Sequence, residues 1–137
     1  NTYGGAQFAQ DTLTGTGGGG GLVIYSSTAA FTDYLCTDGP GGADLSIYKE
    51  VEHTPTLLNA EGSPGWTSGE VLRLEGVPNI TATSVVLTCY RNGVAAASAT
   101  DSSSPYVSGD PGIYAFGNLT NMLQTNWSGG SFKRGQP

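Results

Sequence analysis

Short runs of alternating apolar and polar residues recur along this chain and constrain its fold more than any other feature. No window of about 11 residues or more keeps an apolar stripe at helical spacing without a Gly or Pro in it. Leu45 and Ile47, and again Leu72 and Leu74, instead share one face of a period-two pattern. Such alternation is typical of strands buried on one face. The sequence therefore predicts an all-β, antiparallel fold with no substantial helix.

Turn residues divide the chain into nine or ten predicted strands. Asn92-Gly93 stands between two apolar runs and predicts a type I′ hairpin turn, which needs φ > 0 at both central residues. The run Gly17 to Gly21 predicts a flexible hinge or loop, and residues 101–110 a loop rich in Ser, Pro and Gly. The predicted strands are 7–14, 22–25, 31–37, 44–49, 56–58, 70–75, 83–90, 94–99, 112–116 and 122–127.

Composition excludes two classes of partner. The chain has 137 residues, which suits one domain, and a net charge of −6. Its five Lys and Arg residues are scattered, so a phosphate backbone would be repelled and nucleic-acid binding is not expected. No apolar run approaches the roughly 20 residues needed to cross a bilayer. The chain begins at Asn1, and we expect a processed product or a piece of a longer protein.

Cys36 and Cys89 are the two cysteines of the chain, and both lie inside apolar, strand-like runs. In an exported protein they would form a disulfide between strands or sheets. The alternative is a pair of buried small hydrophobic residues. Together with the single histidine, His53, they do not supply the ligands of a structural zinc site.

Several segments, in order, resemble a concanavalin A-like (laminin G-like) jelly-roll domain. They are residues 43–49, 56–58 and 69–76, the hairpin segment 86–93, and the closing segments 101–102, 108–114 and 126–130. The resemblance implies an antiparallel β-sandwich over residues 1–131, with 132–137 as a tail or linker. It also links the chain to bacterial surface proteins and to structural proteins of tailed phages.

The beginning of the chain departs from this resemblance. Related domains carry several strands before the segment that residues 7–14 resemble. We therefore expect N-terminal strands that are missing or supplied by a partner, and an assembly in which neighbours cover an open sheet edge.

Catalytic residues are not predicted. Glucanases of this fold carry a Glu-x-Asp-x-x-Glu strand, because acid and nucleophile must flank the scissile bond, and the pattern is absent here. Its nearest approach is Glu50-Val51-Glu52-His53, in which two carboxylates would share a strand face; the alternative is a solvated turn. We expect a protein that is not an enzyme.

The resemblance also implies a calcium ion as a candidate cofactor, since Ca²⁺ takes loop carboxylates and backbone carbonyls. Five aspartates flank predicted turns, and Asp38 and Asp110 are the weak candidates among them. None forms an EF-hand loop, so turn capping is the alternative for each. The five are Asp33, Asp38, Asp44, Asp101 and Asp110.

Trp66 and Tyr106 are the candidate glycan-binding residues, because aromatic rings in loops stack on the apolar faces of sugars. Core packing is the alternative for Trp66, and Trp127 is predicted to plug the core near the last strand. The tyrosines predicted in strands, as core or sheet-face residues, are Tyr34, Tyr48, Tyr90 and Tyr114.

Three Asn-x-Ser/Thr sequons begin at Asn79, Asn118 and Asn126. We expect a non-catalytic structural or display module on a virion, filament or cell surface, with weak glycan binding. Its partners would be copies of itself, other structural subunits or glycans, in an extracellular or virion-surface location. The alternative is a carbohydrate-binding module of a larger secreted protein.

Overall fold

The computed structural model describes residues 3–15, 20–38, 44–61, 66–115 and 122–132, and these parts of the chain form eleven strands and no helix. Consequently no helix in the described ranges could span a membrane. The strands are β1 (Tyr3–Gly4), β2 (Gln7–Gly15), β3 (Gly20–Ser27), β4 (Thr32–Asp38), β5 (Leu45–Val51), β6 (Thr54–Glu61), β7 (Glu70–Pro78), β8 (Val85–Arg91), β9 (Val94–Asp101), β10 (Ser108–Ala115) and β11 (Met122–Ser131).

The strands form two antiparallel sheets packed as a sandwich. Sheet 1 has the order β1-β10-β3-β4-β5-β6, and sheet 2 has the order β11-β2-β7-β8-β9. The predicted fold class is thereby confirmed, and each of the ten predicted runs corresponds to a strand. The two-residue β1 was not predicted. β10 begins at Ser108, inside the predicted loop. Its Pro111 is compatible with a strand because it lies at a register shift between Asp110 and Gly112, where a strand tolerates a proline.

The core lies between the sheets and follows the alternation of the sequence. Leu45 and Ile47 of β5 and Leu72 and Leu74 of β7 are fully buried, as the period-two pattern predicts. The remaining large core side chains come from both sheets. They include Leu13, Leu22, Ile24, Tyr25, Tyr34, Val85 and Leu87.

The second half of the glycine run is strand and not hinge. Gly20 and Gly21 are the first residues of β3. A Cβ on Gly21 would collide with the carbonyl oxygen of Cys36 and lie 2.8 Å from the Cβ of Thr37. Residue 21 is therefore a glycine because two backbones approach closely there. Residues 16–19 lie outside the described residues.

The Asn92-Gly93 hairpin is present as predicted. Both residues have positive φ, 49° and 80°, as a type I′ turn requires. Asn92 also accepts a hydrogen bond from Val71 N through Oδ1 and donates its own N–H to Val71 O. These two bonds attach the turn to β7.

A disulfide joins the sheets through the core. Cys36 of β4 and Cys89 of β8 are both fully buried and bonded to each other, with their Cα atoms 6.3 Å apart. Of the two alternatives that the sequence left open, the structure has the disulfide.

One open side of the sandwich is tied together by a side chain. β6 and β9 are edge strands of opposite sheets, and Asn59 Nδ2 of β6 donates to Ser98 O of β9 over 2.7 Å. At the other side, β1 pairs with β10 in sheet 1 and β2 pairs with β11 in sheet 2. That further strands precede β1, or are donated by a partner, stays a prediction.

Candidate functional site

A cavity opens on the outer face of sheet 1, where the β3–β4 and β5–β6 turns meet. Its volume is about 170 Å³. We call it the carboxylate pocket. It is lined by Ser26, Ser27, Thr28, Phe31, Asp33, Glu50, His53 and Tyr114.

The two carboxylates of the pocket come from neighbouring strands. Asp33 of β4 stands directly opposite Glu50 of β5 in the antiparallel register. Tyr34, the next residue of β4, is buried in the core, so the alternation of the strand turns Asp33 to the outer face. Side chains directly opposite each other in such a pair are about 4.5–5.5 Å apart at Cβ. Two acids are therefore held side by side.

Asp33 is the perturbed member of this pair. Burial, and secondarily the negative charge of Glu50, raises the pKa of Asp33 to about 7. Its Oδ1 atom is buried and has no hydrogen-bond partner among the described residues. At neutral pH a large fraction of Asp33 therefore carries a proton, because burial disfavours the ionised carboxylate and the neighbouring charge of Glu50 disfavours it further.

The turns supply an aromatic wall. Phe31 and His53 both have positive φ, 49° and 65°, and their ring centroids are 4.1 Å apart with planes tilted by 34°. His53 Nδ1 also lies 3.8 Å from Glu50 Oε1. Phe31 is 50% exposed, so an apolar ring borders the opening of the pocket beside the acids.

Tyr114 of β10 completes the lining. It stands opposite Gly21 of β3. Because glycine has no side chain, this cross-strand neighbour places none beside the Tyr114 ring. Burial, with smaller contributions from Glu50 and Asp33, raises the pKa of Tyr114. The phenol therefore stays protonated at neutral pH.

Of the two interpretations of Glu50-Val51-Glu52-His53, the structure has the turn, in which Glu52 and His53 are both exposed. Glu50 and Glu52 do not share a strand face, because β5 ends at Val51 and Glu52 lies in the following turn with φ of 49°. The acid beside Glu50 is Asp33, which the sequence marked only as a turn-flanking aspartate. The alternation within β4 gave the face of Asp33, but no feature of the sequence gave the register that pairs it with Glu50.

Behind the pocket, a buried ion pair supports β5. Asp101 at the end of β9 accepts hydrogen bonds from Lys49 Nζ (2.7 Å), Tyr34 Oη (2.6 Å) and Ser103 N (2.8 Å). Burial acts to raise the pKa of Asp101, but these three donors together hold it below its usual value. Because Asp101 caps its own turn through Ser103 N, the turn-capping interpretation of this aspartate is confirmed.

The predicted glycan-binding residues lie outside the pocket lining. Tyr106 packs on Tyr34, with ring centroids 5.3 Å apart, and donates through Oη to Glu50 O. Trp66 is half-buried against the core, and its Nε1 has no partner among the described residues. A glycan-binding role for either residue stays a prediction.

Trp127 was predicted to plug the core, and this is wrong: the side chain is 42% exposed. β11 shifts register between Thr125 and Ser128, and Asn126 has φ of 66°. This irregularity turns the indole outward to lie over Gly129, where an added Cβ would be 2.7 Å from the ring.

No cluster of three metal-ligating side chains occurs among the residues that the structure describes. Asp110 is an exposed residue of β10, opposite Ser26 of β3. Asp38 ends β4, and its side chain lies outside the described part of the structure. Calcium at either residue stays a prediction.

The sequons lie in different settings. Asn79 already uses its side chain to close the β7–β8 turn, donating to Thr83 Oγ1 and accepting from Thr83 N and Ser84 N. Asn126 is exposed on β11, and Asn118 lies outside the described residues. Glycosylation at all three stays a prediction.

Two solved structures are similar to this chain in fold. The carbohydrate binding module CBM66 from Bacillus subtilis has a TM-score of 0.71 at 15% sequence identity, over 96% of this chain and 78% of that one. The tail fiber protein gp63.1 from a phage of E. coli has a TM-score of 0.56 at 11% identity, over 98% of this chain. The chain spans only 16% of the fiber protein.

At such identities the similarity concerns the β-sandwich fold alone. No protein-family model matches the sequence, and no curated protein does. The finer assignment to the concanavalin A-like (laminin G-like) family stays a prediction.

Proposed function

We propose that this domain binds carbohydrate without acting on it, and that the carboxylate pocket is its binding site. The observation that carries the proposal is the combination within one cavity of an exposed aromatic ring, Phe31, with the paired acids Asp33 and Glu50. Sugars present both apolar C–H faces and dense hydroxyl groups, and a site for them needs both kinds of partner. The fold similarity to a carbohydrate binding module is consistent with this role.

Each lining group has a distinct part in the proposed complex. Glu50 accepts hydrogen bonds from sugar hydroxyls. Ser26 and Ser27 both donate and accept, so they adapt to either orientation of a hydroxyl. Phe31 covers an apolar face of the ring. Because the site is a small cavity rather than a long groove, we infer that it takes a terminal sugar unit of a glycan.

The experiment is a glycan array followed by calorimetry on the glycans that bind. Phe31→Ala and Glu50→Gln should each weaken binding by about tenfold or more, the equivalent of about 1.4 kcal/mol. Trp66→Ala and Tyr106→Ala are the matched comparisons outside the pocket. Binding that is lost in these two variants and kept in the pocket variants would place the site elsewhere.

The absence of catalysis is part of the same proposal. A proton-carrying acid beside a second carboxylate is also the arrangement of glycoside hydrolysis, so the chemistry needs its own test. Prolonged incubation with each bound glycan, followed by mass spectrometry, should return the glycan unchanged. A hydrolysis product that disappears in the Asp33→Asn variant would make the domain an enzyme.

A display role in an assembly is the second candidate, supported by the fold similarity to a phage tail fiber protein. In this role the domain would lie on a virion or cell surface, among copies of itself or other structural subunits. Light scattering coupled to size-exclusion chromatography tests it across a concentration series. A protein that binds no glycan and forms a defined oligomer would favour this candidate over the first.

A further inference from the structure

The charge balance of the carboxylate pocket indicates which sugars it prefers. Two acids, Asp33 and Glu50, line the cavity, and none of its described lining residues is Lys or Arg. His53 is the basic side chain of the lining, with Nδ1 3.8 Å from Glu50 Oε1, and it is 66% exposed at the rim. The two carboxylates of the pocket therefore have no lysine or arginine among the described lining residues to balance their charge.

The lysine next in sequence does not supply that cation. Lys49 precedes Glu50 in β5, and the alternation of the strand directs it to the opposite face of sheet 1. Its Nζ contacts Asp101 Oδ2 and donates to the carbonyl oxygens of Ser103 and Ser104. Since these bonds occupy the ammonium group, its charge is matched by Asp101 and not by the pocket.

An unsatisfied acceptor lies within the pair. Asp33 Oδ1 is buried with no hydrogen-bond partner among the described residues. Because an acceptor without a donor is unfavourable, a ligand that brings a donor to this pair of carboxylates gains from binding there. A charged N–H donor gains most, because charge-assisted hydrogen bonds are about twice as strong as neutral ones.

We propose that the carboxylate pocket recognises a terminal sugar with a free primary amino group, and that Asp33 and Glu50 hold its ammonium in preference to the neutral or N-acetylated sugar. The proposal rests on the proposed function and specifies its ligand class. An ammonium has three N–H donors, which Asp33, Glu50 and a hydroxyl of Ser26 or Ser27 can accept. Ca²⁺ would require six to eight oxygens, and no metal-binding cluster is found among the described residues.

Such a ligand changes the protonation of the pocket. A bound cation favours the ionised form of Asp33, so binding near neutral pH displaces the proton that Asp33 carries. The other titratable groups that face Asp33 are Glu50 on β5, His53 in the β5–β6 turn and Tyr114 on β10. A neutral sugar held by the protonated carboxyl of Asp33 would behave in the opposite way and bind less well as the pH rises.

The experiment is isothermal titration calorimetry of the whole chain with three matched ligand sets. Each set contains a 2-amino hexose, its N-acetyl derivative and the parent hexose, in the gluco, galacto and manno series. In at least one series, the amino sugar should bind about tenfold more tightly than both neutral forms at pH 7. Its binding should weaken with added salt and release protons, measured in two buffers with different ionisation enthalpies.

Charge-neutral variants separate the pocket from the general negative charge of the protein. Glu50→Gln should abolish the preference for the amino sugar, whereas Glu52→Gln, the same change two residues along and outside the lining, should leave it intact. Neutral sugars that bind as tightly as amino sugars would overturn this inference and leave the proposed function standing. The absence of binding by any sugar of the three sets and by the glycan array would overturn both.

Discussion

At the scale of single residues, the core leaves no room for a side chain at Gly76. A Cβ there would lie 2.5 Å from Tyr25 Cε2 and 2.6 Å from Ile24 Cδ1. Tyr25 cannot move aside easily, because its hydroxyl is 2.7 Å from Gly5 O and 2.8 Å from Gly76 O. Gly76→Ala should therefore lower the free energy of unfolding by about 1–3 kcal/mol, measured by urea denaturation. Gly130→Ala is the control, since an added Cβ there meets nothing within 4 Å; equal losses in both variants would contradict the argument.

Asp33 should make stability depend on pH. Its pKa is raised to about 7 in the folded chain from an ordinary value of 3.8, so between these values the folded state keeps a proton that the unfolded state has lost. The stability contributed by that proton is complete below about pH 4 and disappears as the pH rises through about 7. The stability of Asp33→Asn relative to the parent should therefore increase from about pH 4 to 7 and level off above, in denaturation curves across that range. A constant difference would show that Asp33 ionises normally.

At the scale of elements, Tyr34 attaches the β9–β10 connection to sheet 1. Its hydroxyl donates to Asp101 Oδ2 and accepts from Tyr106 N. Tyr34→Phe keeps the packing of the ring and leaves both groups without this partner, which should cost about 1–3 kcal/mol. Tyr106→Phe removes a single bond to Glu50 O and should cost about 0.5–1.5 kcal/mol. Hydrogen exchange should report faster opening of residues 102–107 in the Tyr34 variant; protection equal to the parent's would contradict the anchoring role.

The elements also show what could be read from the sequence and what could not. Alternation predicted the strands and which side chains enter the core, because one-face burial imposes a period of two. Register is a different matter: a shift of two residues keeps every side chain on its face, so Asp33 could not be assigned to Glu50. Local irregularities of the backbone could not be predicted from the sequence either. The positive φ of Phe31 that brings it to the pocket, and the register shift that turns Trp127 outward, leave no periodic signal.

At the scale of the whole molecule, the Cys36–Cys89 disulfide links the two sheets across 53 residues of sequence. Closing a loop of this length restricts the unfolded chain, and removing such a bridge costs about 2–4 kcal/mol. The Cys36→Ala/Cys89→Ala variant should therefore unfold at a clearly lower urea concentration than the parent. Part of the lost stability in this variant would come from its smaller side chains. The control is therefore the parent protein in its oxidised and reduced forms.

Unfolding the parent with and without a reducing agent isolates the contribution of the bond, because the side chains then differ only in oxidation state. The reduced protein should have the lower midpoint, and the denatured oxidised protein should contain no reactive thiol. Disulfides persist in oxidising compartments, so a bridge present in protein from its native source would support the proposed extracellular or virion-surface location. Two reactive thiols in that protein, with a midpoint that reduction does not change, would instead favour the buried-hydrophobe alternative and leave that location without this support.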